Sequence, residues 1–516
     1  DGTDLIITVD NGISSIEEAE YIYSLGMQLI VTDHHQIGKN LPRAEAVINP
    51  HREDNEIEFR DFAGVGVAFK LACALYDGDV EDLLEDYADY VTIGTIGDMV
   101  PLLNENRAIV KAGLKLINTD AKIGISALKK STNSKAEHFS ATDVAFQICP
   151  RINAAGRMDT ANLAVDLLTC EDNEIAEYKA EQLNLENTHR HEVEEKIDKD
   201  IAEIMANDRA YQTDRVIVVA GHNYHKGVIG ICAAHLVELY SKPAIVIGID
   251  DEGNATGSAR SIDGFNIFEA ISSCSDILTH FGGHPLAAVM PIQTLKIDCK
   301  LSPYYLTLDL VNNLAELEPY GTDNAQPVFG LYNLTLTNVA AIGDGKHLKI
   351  EAEKKGKSVR MVKFRTTLDE FPHKIGDTLD FAVKLSKSTF KNKDYISAQI
   401  VDFRKSGIDI DKYYREKNDY LLFKLGKKNK TELYPNRDIC AVVYKYLKSQ
   451  KGYKYTFDDL YFELANYLTY GQLAFVLDAF EEAGLIKREG NITLNDVKTK
   501  ANLERTDTLM VLKGRL

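Results

Sequence analysis

The alternation of apolar and polar positions lays out the elements of this chain in order. Asp4 to Val9 (DLIITV) is a continuous apolar run that ends at Asp10-Asn11-Gly12, which predicts a buried parallel strand closed by a turn. A helix is expected next, with Ser14 or Ser15 as N-cap, Glu17 and Glu18 in its first turn, and Ile16, Ala19 and Tyr23 along one face. Leu29-Ile30-Val31-Thr32 repeats the strand signal and runs into Asp33-His34-His35. Strand, helix and strand within about 30 residues make a βαβ unit, and open parallel sheets gather their functional groups at the carboxyl ends of the strands. Asp10 and the Asp33-His34-His35 triplet both fall there.

Farther along, residues 62–118 read as mostly helical, with Pro101 as a stop, and the charged stretch 171–207 reads as one long connecting helix carrying Ile197, Ile201 and Ile204 on a face. A second α/β unit begins at Val216-Ile217-Val218-Val219 and passes through Ala244-Ile245-Val246-Ile247 to a glycine-rich segment near 282. Pro319, Gly321 and Pro327 mark a boundary, after which short strand signals recur as in a small barrel or sandwich. From about 406 the pattern turns helical, and Tyr444 to Lys448, Leu460 to Leu464, Gly471 to Ala483 and a Gly490-Asn491 turn resemble a winged helix. The expected segments are therefore 1–170, a connecting helix 171–207, 208–318, 319–405 and 406–516.

Composition narrows the class. With 516 residues, 45% apolar and 27% charged, the chain is an ordinary multidomain globular protein, and no apolar stretch reaches the roughly 20 residues of a membrane span. Seven scattered cysteines form no zinc or disulfide spacing, which fits a reducing cytoplasm. The opening Asp1-Gly2-Thr3-Asp4 contains no leader and no initiator Met, so the chain reads as a fragment. The net charge of −19 argues against a protein that coats nucleic acid indiscriminately, yet it is unevenly spread. Residues 1–330 carry 25 basic and 53 acidic side chains, whereas 331–516 carry 34 and 25, for nets of −28 and +9. An acidic half is commonly a solvated surface; the sharper reading is that some carboxylates hold divalent cations, while the basic half grips a polyanion.

Asp10, Asp33, His34, His35 and Asp98 are the candidates for that cation chemistry. Mixed carboxylate and imidazole ligands suit Mn²⁺ or Mg²⁺ better than a structural zinc, and a pair of such ions activates water and clamps a phosphoryl group. An isolated Asp-His-His is weak support, since capping Asp and surface His are commoner. Here it has company. Val9-Asp10-Asn11-Gly12, Val31-Thr32-Asp33-His34-His35, Gly94-Thr95-Ile96-Gly97-Asp98-Met99-Val100-Pro101, Arg151-Ile152-Asn153-Ala154-Ala155-Gly156-Arg157, His225-Lys226-Gly227-Val228-Ile229-Gly230-Ile231, Gly257-Ser258-Ala259-Arg260-Ser261 and Gly282-Gly283-His284 follow one another in order.

These seven motifs resemble the DHH phosphoesterase family, in its branch of single-strand-specific 5′-to-3′ exonucleases, over nearly the whole chain. The resemblance implies an α/β architecture: a parallel-sheet DHH domain and a DHH-associated α/β domain, then a β-barrel OB domain and the winged-helix-like C-terminal domain. It implies that Asp10 bridges two divalent ions, Mn²⁺ or Mg²⁺, that His34 and Asp98 complete one ion's shell, that His35 touches the scissile phosphate, and that Asp33 orients a ligand imidazole. Arg157, Ser258 and Arg260 match positions that hold a terminal 5′-phosphate, which suits a forked guanidinium and a hydroxyl; the alternative for such an Arg is a structural salt bridge. Gly282 and Gly283 would bring backbone to phosphate and His284 would donate to it, against the alternative of an ordinary glycine turn. His225 reads equally as a contact or a cap. In the OB segment Lys346, Lys349, Arg360, Lys363 and Arg365, with Phe364 and Tyr332, fit a basic groove with stacking aromatics, although each alone is as readily a solvated charge or a core ring. The C-terminal segment is read either as binding DNA or a partner, or as packing.

The implied activity is metal-dependent release of mononucleotides from single-stranded DNA in repair and recombination. Single-strand-binding protein and a RecQ-type helicase are the implied partners, and no membrane is involved. Three departures bear on this. The family's first motif, an Asp-x-Asp-x-Asp strand with further metal ligands, is absent from the chain; Val289 stands where the phosphate loop usually ends in Gly; and His235 stands where an Arg is usual, so that a charge contact is expected to be lost. Two rival readings are a phosphodiesterase for short oligonucleotides, opposed by the OB and C-terminal segments, and a non-catalytic single-strand-binding scaffold. The missing motif favours the scaffold, whereas the intact Asp-His-His and Asp98 oppose it.

Overall fold

The computed structural model describes residues 2–38, 40–157, 161–207, 215–262, 265–274, 295–390, 393–424, 433–489, 491–496 and 502–514. They divide into two compact units, one of residues 1–295 and 317–326, the other of 296–316 and 327–516.

In the first unit, β1 (Leu5–Val9), α1 (Ile16–Ser24), β2 (Gln28–Thr32) and β3 (Ala46–Ile48) form the βαβ start, with β1-β2-β3 an all-parallel sheet in register Val9↔Thr32 and Thr32↔Ile48. Two expectations are corrected here. The strand β1 is not buried: Leu5, Ile7 and Val9 are 41%, 49% and 50% exposed, because among the described strands it pairs only with β2 and one of its faces is uncovered. Ser15 takes the N-cap position of α1, but no side-chain cap bond forms. Helices α2 (Gly64–Leu75), α3 (Val80–Gly97) and α4 (Asn104–Thr119) follow, and α3 starts from an Asp79 cap whose carboxylate accepts from the Glu81 amide. Beyond α5 (Ile123–Ser131), α6 (Cys149–Arg157) and α7 (Ala161–Leu168), the 35-residue helix α8 (Asn173–Asn207) is the predicted connector. Its N-terminal half buries Ala176, Ala180 and Leu183 in a core with Ile93, Val110, Ile125 and Ile148, and its C-terminal half gives Ile197 and Ile201 to a second core with Val219, Cys232 and Val246. That second core belongs to the small sheet of β4 (Ile217–His222), β5 (Ala244–Ile249) and β6 (Ala255–Arg260), parallel then antiparallel, backed by α9 (Ile229–Tyr240).

In the second unit, β7 (Cys299–Lys300) pairs parallel with β8 (Phe329–Ile342), and the chain continues through β9 (His347–Lys354), β10 (Lys357–Lys363), β11 (Thr378–Phe390) and β12 (Lys393–Lys405). Pairing runs β8-β9-β10-β12-β11 and returns from β11 to β8, closing a five-stranded barrel around Leu331, Leu334, Ile350, Met361 and Phe381. The chain changes units at 295/296, 316/317 and 326/327. Leu306 and Val311 pack on the barrel core, while 317–326 is tied back by Leu102 N–H donating to Thr322 O at 2.9 Å and Arg107 Nη2 donating to Glu318 O at 3.1 Å. The C-terminal part has helices α10 (Ile410–Lys424), α11 (Arg437–Gln450), α12 (Phe457–Leu464) and α13 (Tyr470–Glu482), followed by the hairpin of β13 (Ile486–Glu489) and β14 (Asn491–Leu494), the arrangement read from the sequence as winged-helix-like. No described helix is long and apolar enough to cross a membrane.

Candidate metal centre and phosphate site

The carboxyl ends of β1 and β2 bring the first set of residues together. After Val9 the backbone turns at Asp10, whose φ of +64° lies in the left-handed region that Asp tolerates better than most residues, and Gly12 follows at +106°. Asp10 N–H donates to Thr32 O at 3.0 Å, which pins the turn beside the end of β2. Asp98 arrives from elsewhere as the C-cap of α3. His34 Nε2 lies 3.1 Å from Asp10 Oδ1 and 3.5 Å from Asp98 Oδ2, with the imidazole 13% exposed and the carboxylates 58% and 45% exposed. The set is thus anchored on its protein side and open on the other.

Asp33 has a different task. Its side chain is buried, Oδ2 accepts from Ile13 N–H at 2.9 Å, and Oδ1 accepts from the amides of His34 at 2.8 Å and His35 at 3.2 Å and meets His35 Nδ1 at 2.7 Å. Burial pushes this carboxyl up, but the bonds from the His35 ring and the three amides outweigh it and hold the pKa below the usual carboxylate range. His35 is raised in turn, first by the bond from Asp33 and then, against some burial, by the charges of Asp33, Asp10 and Asp98. Burial raises Asp98, and the neighbouring Asp10 adds to this while the His34 and His35 imidazoles oppose it. Acidic groups crowded in this way, with imidazole nitrogen among them, are a donor set that a hard divalent cation fits.

Two residues that the sequence reading did not single out complete this corner. Asn49, buried at the end of β3, donates from Nδ2 to His35 O at 3.0 Å and accepts the His51 N–H on Oδ1 at 2.8 Å, so it fastens the backbone of the triplet. The Asn49-Pro50-His51 turn at a strand's carboxyl end was the available signal. Gly64, at the start of α2, faces Asp10 so closely that a Cβ there would stand 2.2 to 2.5 Å from its carboxylate and Cβ. No sequence pattern announces such an approach.

The second set gathers around α9. Arg157, the last residue of α6, donates from Nη1 to Gly227 O at 2.9 Å. Ser258 and Arg260 lie on β6, with Arg260 Nη1 3.4 Å from Ser258 Oγ and 2.8 Å from Ala259 O. A Cβ on Gly230, in the first turn of α9, would stand 2.9 Å from Ser258 Oγ and 3.2 Å from Arg260 Nη2, so the helix N-terminus abuts both. The Arg260 guanidinium is held below its ordinary range, first by the protein packed on its inner side and then by the like charge of Arg157. Neither arginine has a carboxylate partner among the described residues, and two guanidiniums and a hydroxyl beside a helix N-terminus are donors of the kind that bind an anion. His225 Nδ1 accepts the Gly227 N–H at 3.2 Å in the turn that precedes α9, whose N-cap position is held by Val228 without a side-chain bond. His235 Nδ1 lies 2.8 Å from Asp198 Oδ2 and its Nε2 3.5 Å from Glu194 Oε1, both on α8. Gly282, Gly283, His284 and Val289 lie outside the described residues.

On the barrel, Lys349 pairs with Glu351 at 3.4 Å and Lys363 donates to Val401 O at 2.5 Å, whereas Lys346 and Arg360 are exposed. Lys346, Phe364 and Arg365 share one end of it, since Thr366 N–H donates to Lys346 O and the exposed Phe364 ring stands edge-on to His347 at 5.1 Å. Lys300 lies over the Tyr332 ring at 4.9 Å.

Three family models match successive parts of the chain. The DHH family, N-terminal domain, matches residues 3–95, the DHHA1 domain residues 192–299, and the RecJ OB domain residues 297–402. The single-stranded-DNA-specific exonuclease RecJ of Bacillus subtilis is 38% identical over 70% of this chain, and that of Escherichia coli is 32% identical over 69% of it. The chain spans 49% of the first of these relatives and 69% of the second. A crystal structure of RecJ in complex with Mn²⁺ from Thermus thermophilus superposes with a TM-score of 0.67 at 30% identity, over 78% of this chain and 62% of that one; the same protein with Mg²⁺ gives 0.63.

Proposed function

The chain belongs to the family of RecJ single-stranded-DNA-specific exonucleases, and on that premise we propose that it degrades single-stranded DNA from the 5′ end to mononucleotides, in repair and recombination. The observation that carries the reading is the position of His34 Nε2 between Asp10 and Asp98. These three side chains are the candidate ligands for divalent ions, Mn²⁺ or Mg²⁺, two in number by the resemblance. When bound, such ions supply an activated water and charge stabilisation at the phosphorus. His35, held by Asp33 at Nδ1 and by Asn49 at its backbone carbonyl, is the candidate to touch the scissile phosphate, and its raised pKa favours the donating imidazolium. Arg157, Ser258, Arg260 and the N-terminus of α9 take the terminal 5′-phosphate, which fixes polarity. Lys346, Phe364 and Arg365 on the barrel hold the strand by charge and stacking, with Lys349, Arg360 and Lys363 as weaker contacts.

Single-strand-binding protein and a RecQ-type helicase are the partners proposed with this activity, and seven free cysteines fit a cytoplasmic setting. The test is digestion of a 5′-phosphorylated single-stranded oligonucleotide with Mn²⁺ and with chelator. Metal-dependent release of mononucleotides, lost on Asp10→Ala, is the expected result. Binding without cleavage would place the chain among non-catalytic single-strand scaffolds, and equal hydrolysis of dinucleotides and long strands would mark a small-substrate phosphodiesterase.

A further inference from the structure

Two turns at one end of the barrel meet on His347, the first residue of β9. Its Nδ1 accepts the Arg365 N–H at 3.0 Å, and its ring meets the Phe364 ring edge-on, with centroids 5.1 Å apart and planes at 74°. At the ring edge across from Nδ1, a Cβ on Gly343 would stand 3.0 Å from His347 Cδ2, so the turn between β8 and β9 lies against the imidazole. Lys346, in that turn, is tied to the segment after β10 by its own carbonyl, which accepts the Thr366 N–H at 3.1 Å. One half-buried imidazole therefore touches both turns, and these carry the two cations and the ring assigned above to the strand.

The conformation held in this way has a cost. Arg365 stands at φ +52°, in the left-handed region that a long side chain enters unfavourably. A backbone outlier persists where its surroundings impose it, and such outliers gather at functional sites. Here two bonds impose it, from Arg365 N–H to His347 Nδ1 and from Thr366 N–H to Lys346 O. The result is an exposed Phe364 ring beside exposed Lys346 and Arg365, neither of which has a carboxylate partner among the described residues. A ring face for a base and cations for its phosphates are what a single strand requires. Imidazole suits the position because Nδ1, bonded directly to Cγ, supplies an acceptor while the rest of the ring packs on Phe364.

Resting on the strand-binding role proposed for the barrel, we propose that His347 is a positioning residue for it: through Nδ1 it sets the Arg365 turn so that the guanidinium meets a phosphate, and through its ring it steadies Phe364 for a base. His347 itself does not touch the strand.

The test is fluorescence anisotropy of a 5′-hydroxyl single-stranded oligonucleotide with the full chain across a salt series, with chelator present so that no cleavage intervenes. Two variants separate the two contacts. His347→Leu keeps apolar bulk against Phe364 and removes the acceptor. Its affinity should fall roughly threefold or more at low salt, and the drop between about 50 and 200 mM salt should shrink from roughly sevenfold to about threefold or less, because one phosphate contact is lost. His347→Asn places Oδ1 where Nδ1 stands and removes the ring; it should keep the salt slope and lose affinity about equally at every salt concentration. Phe364→Ala should then cost less in His347→Asn than in the unaltered chain, since the two act on one contact. Circular dichroism establishes that each variant folds, and where His347→Leu does not, the Asn variant and its coupling to Phe364→Ala decide. In folded His347→Leu, an unchanged affinity, or a loss that leaves the slope as it was, overturns the role of His347 and leaves the barrel's role standing; full additivity of Phe364→Ala with His347→Asn does the same. Retention of both affinity and slope in Lys346→Gln with Arg365→Gln overturns the barrel's role at this end, and that of His347 falls with it.

Discussion

At the scale of single residues, the metal corner depends as much on what is missing as on what is present. Gly64 gives α2 an N-terminus with no side chain, and Asp10 occupies the space. Gly64→Ala would place a Cβ within 2.5 Å of three Asp10 atoms, including its Cβ, so the whole side chain must move and not its tip alone. Affinity for Mn²⁺, measured by calorimetric titration, should fall about 10- to 100-fold, as for other residues that set a ligand's orientation, with the circular dichroism spectrum preserved. Asp33 fails differently. Asp33→Ala leaves the amides of Ile13, His34 and His35 without their acceptor, and a stability loss of about 1–3 kcal/mol in denaturant unfolding should accompany the loss of activity. The candidate ligands Asp10 and His34 were legible in the sequence because carboxylate and imidazole at strand ends form a pattern, and Asp98 through the Gly-Asp motif that closes its helix. Asn49 and Gly64 were not, because one acts through backbone bonds and the other through an absent atom, and neither leaves a chemical signature in one dimension.

At the scale of elements, periodicity carried far: the βαβ start, the helix Asn173–Asn207 and the helices with their terminal hairpin all stand where apolar spacing put them. It failed where the outcome depends on pairing partners. An apolar run does not say whether both faces of its strand are covered, so the exposure of Leu5, Ile7 and Val9 was invisible. Barrel closure likewise rests on the return pairing of Leu379 with Leu334 and Val383 with Phe329, far apart in sequence. That closure buries Phe381, and Phe381→Ala should cost about 3–5 kcal/mol of the stability of the second unit in denaturant melts. A pH dependence resides in the same unit. His373 is buried against Phe371 and Phe403, and burial lowers its pKa from 6.5 although Asp377 lies 3.8 Å away. The unfolded chain then takes up the proton first, so stability is full above pH 6.5 and falls as the pH drops through that value toward the lower folded-state pKa. Thermal melts between about pH 7.5 and 5.5 should show the decline, and His373→Gln should flatten it.

At the scale of the whole molecule, the division of charge into −28 and +9 sets the expected response to salt. The acidic part repels a polyanion at long range, so a strand gains little from it outside the proposed phosphate site, and that repulsion weakens as salt screens it. The barrel gains by counterion release, which salt opposes. Lys346 and Arg365 are the exposed charges beside Phe364, whereas Lys349 and Lys363 are already partnered. If those two each neutralise one phosphate, affinity for a 5′-hydroxyl single strand should fall roughly sevenfold between about 50 and 200 mM salt, from a slope of about −0.7 per contact. In the double variant Lys346→Gln with Arg365→Gln the salt slope should approach zero, while Phe364→Ala should lower affinity at every salt concentration with the slope unchanged, since stacking releases no ions. Fluorescence anisotropy across a salt series separates the two, and a slope that survives the double variant would move the strand's path off this end of the barrel.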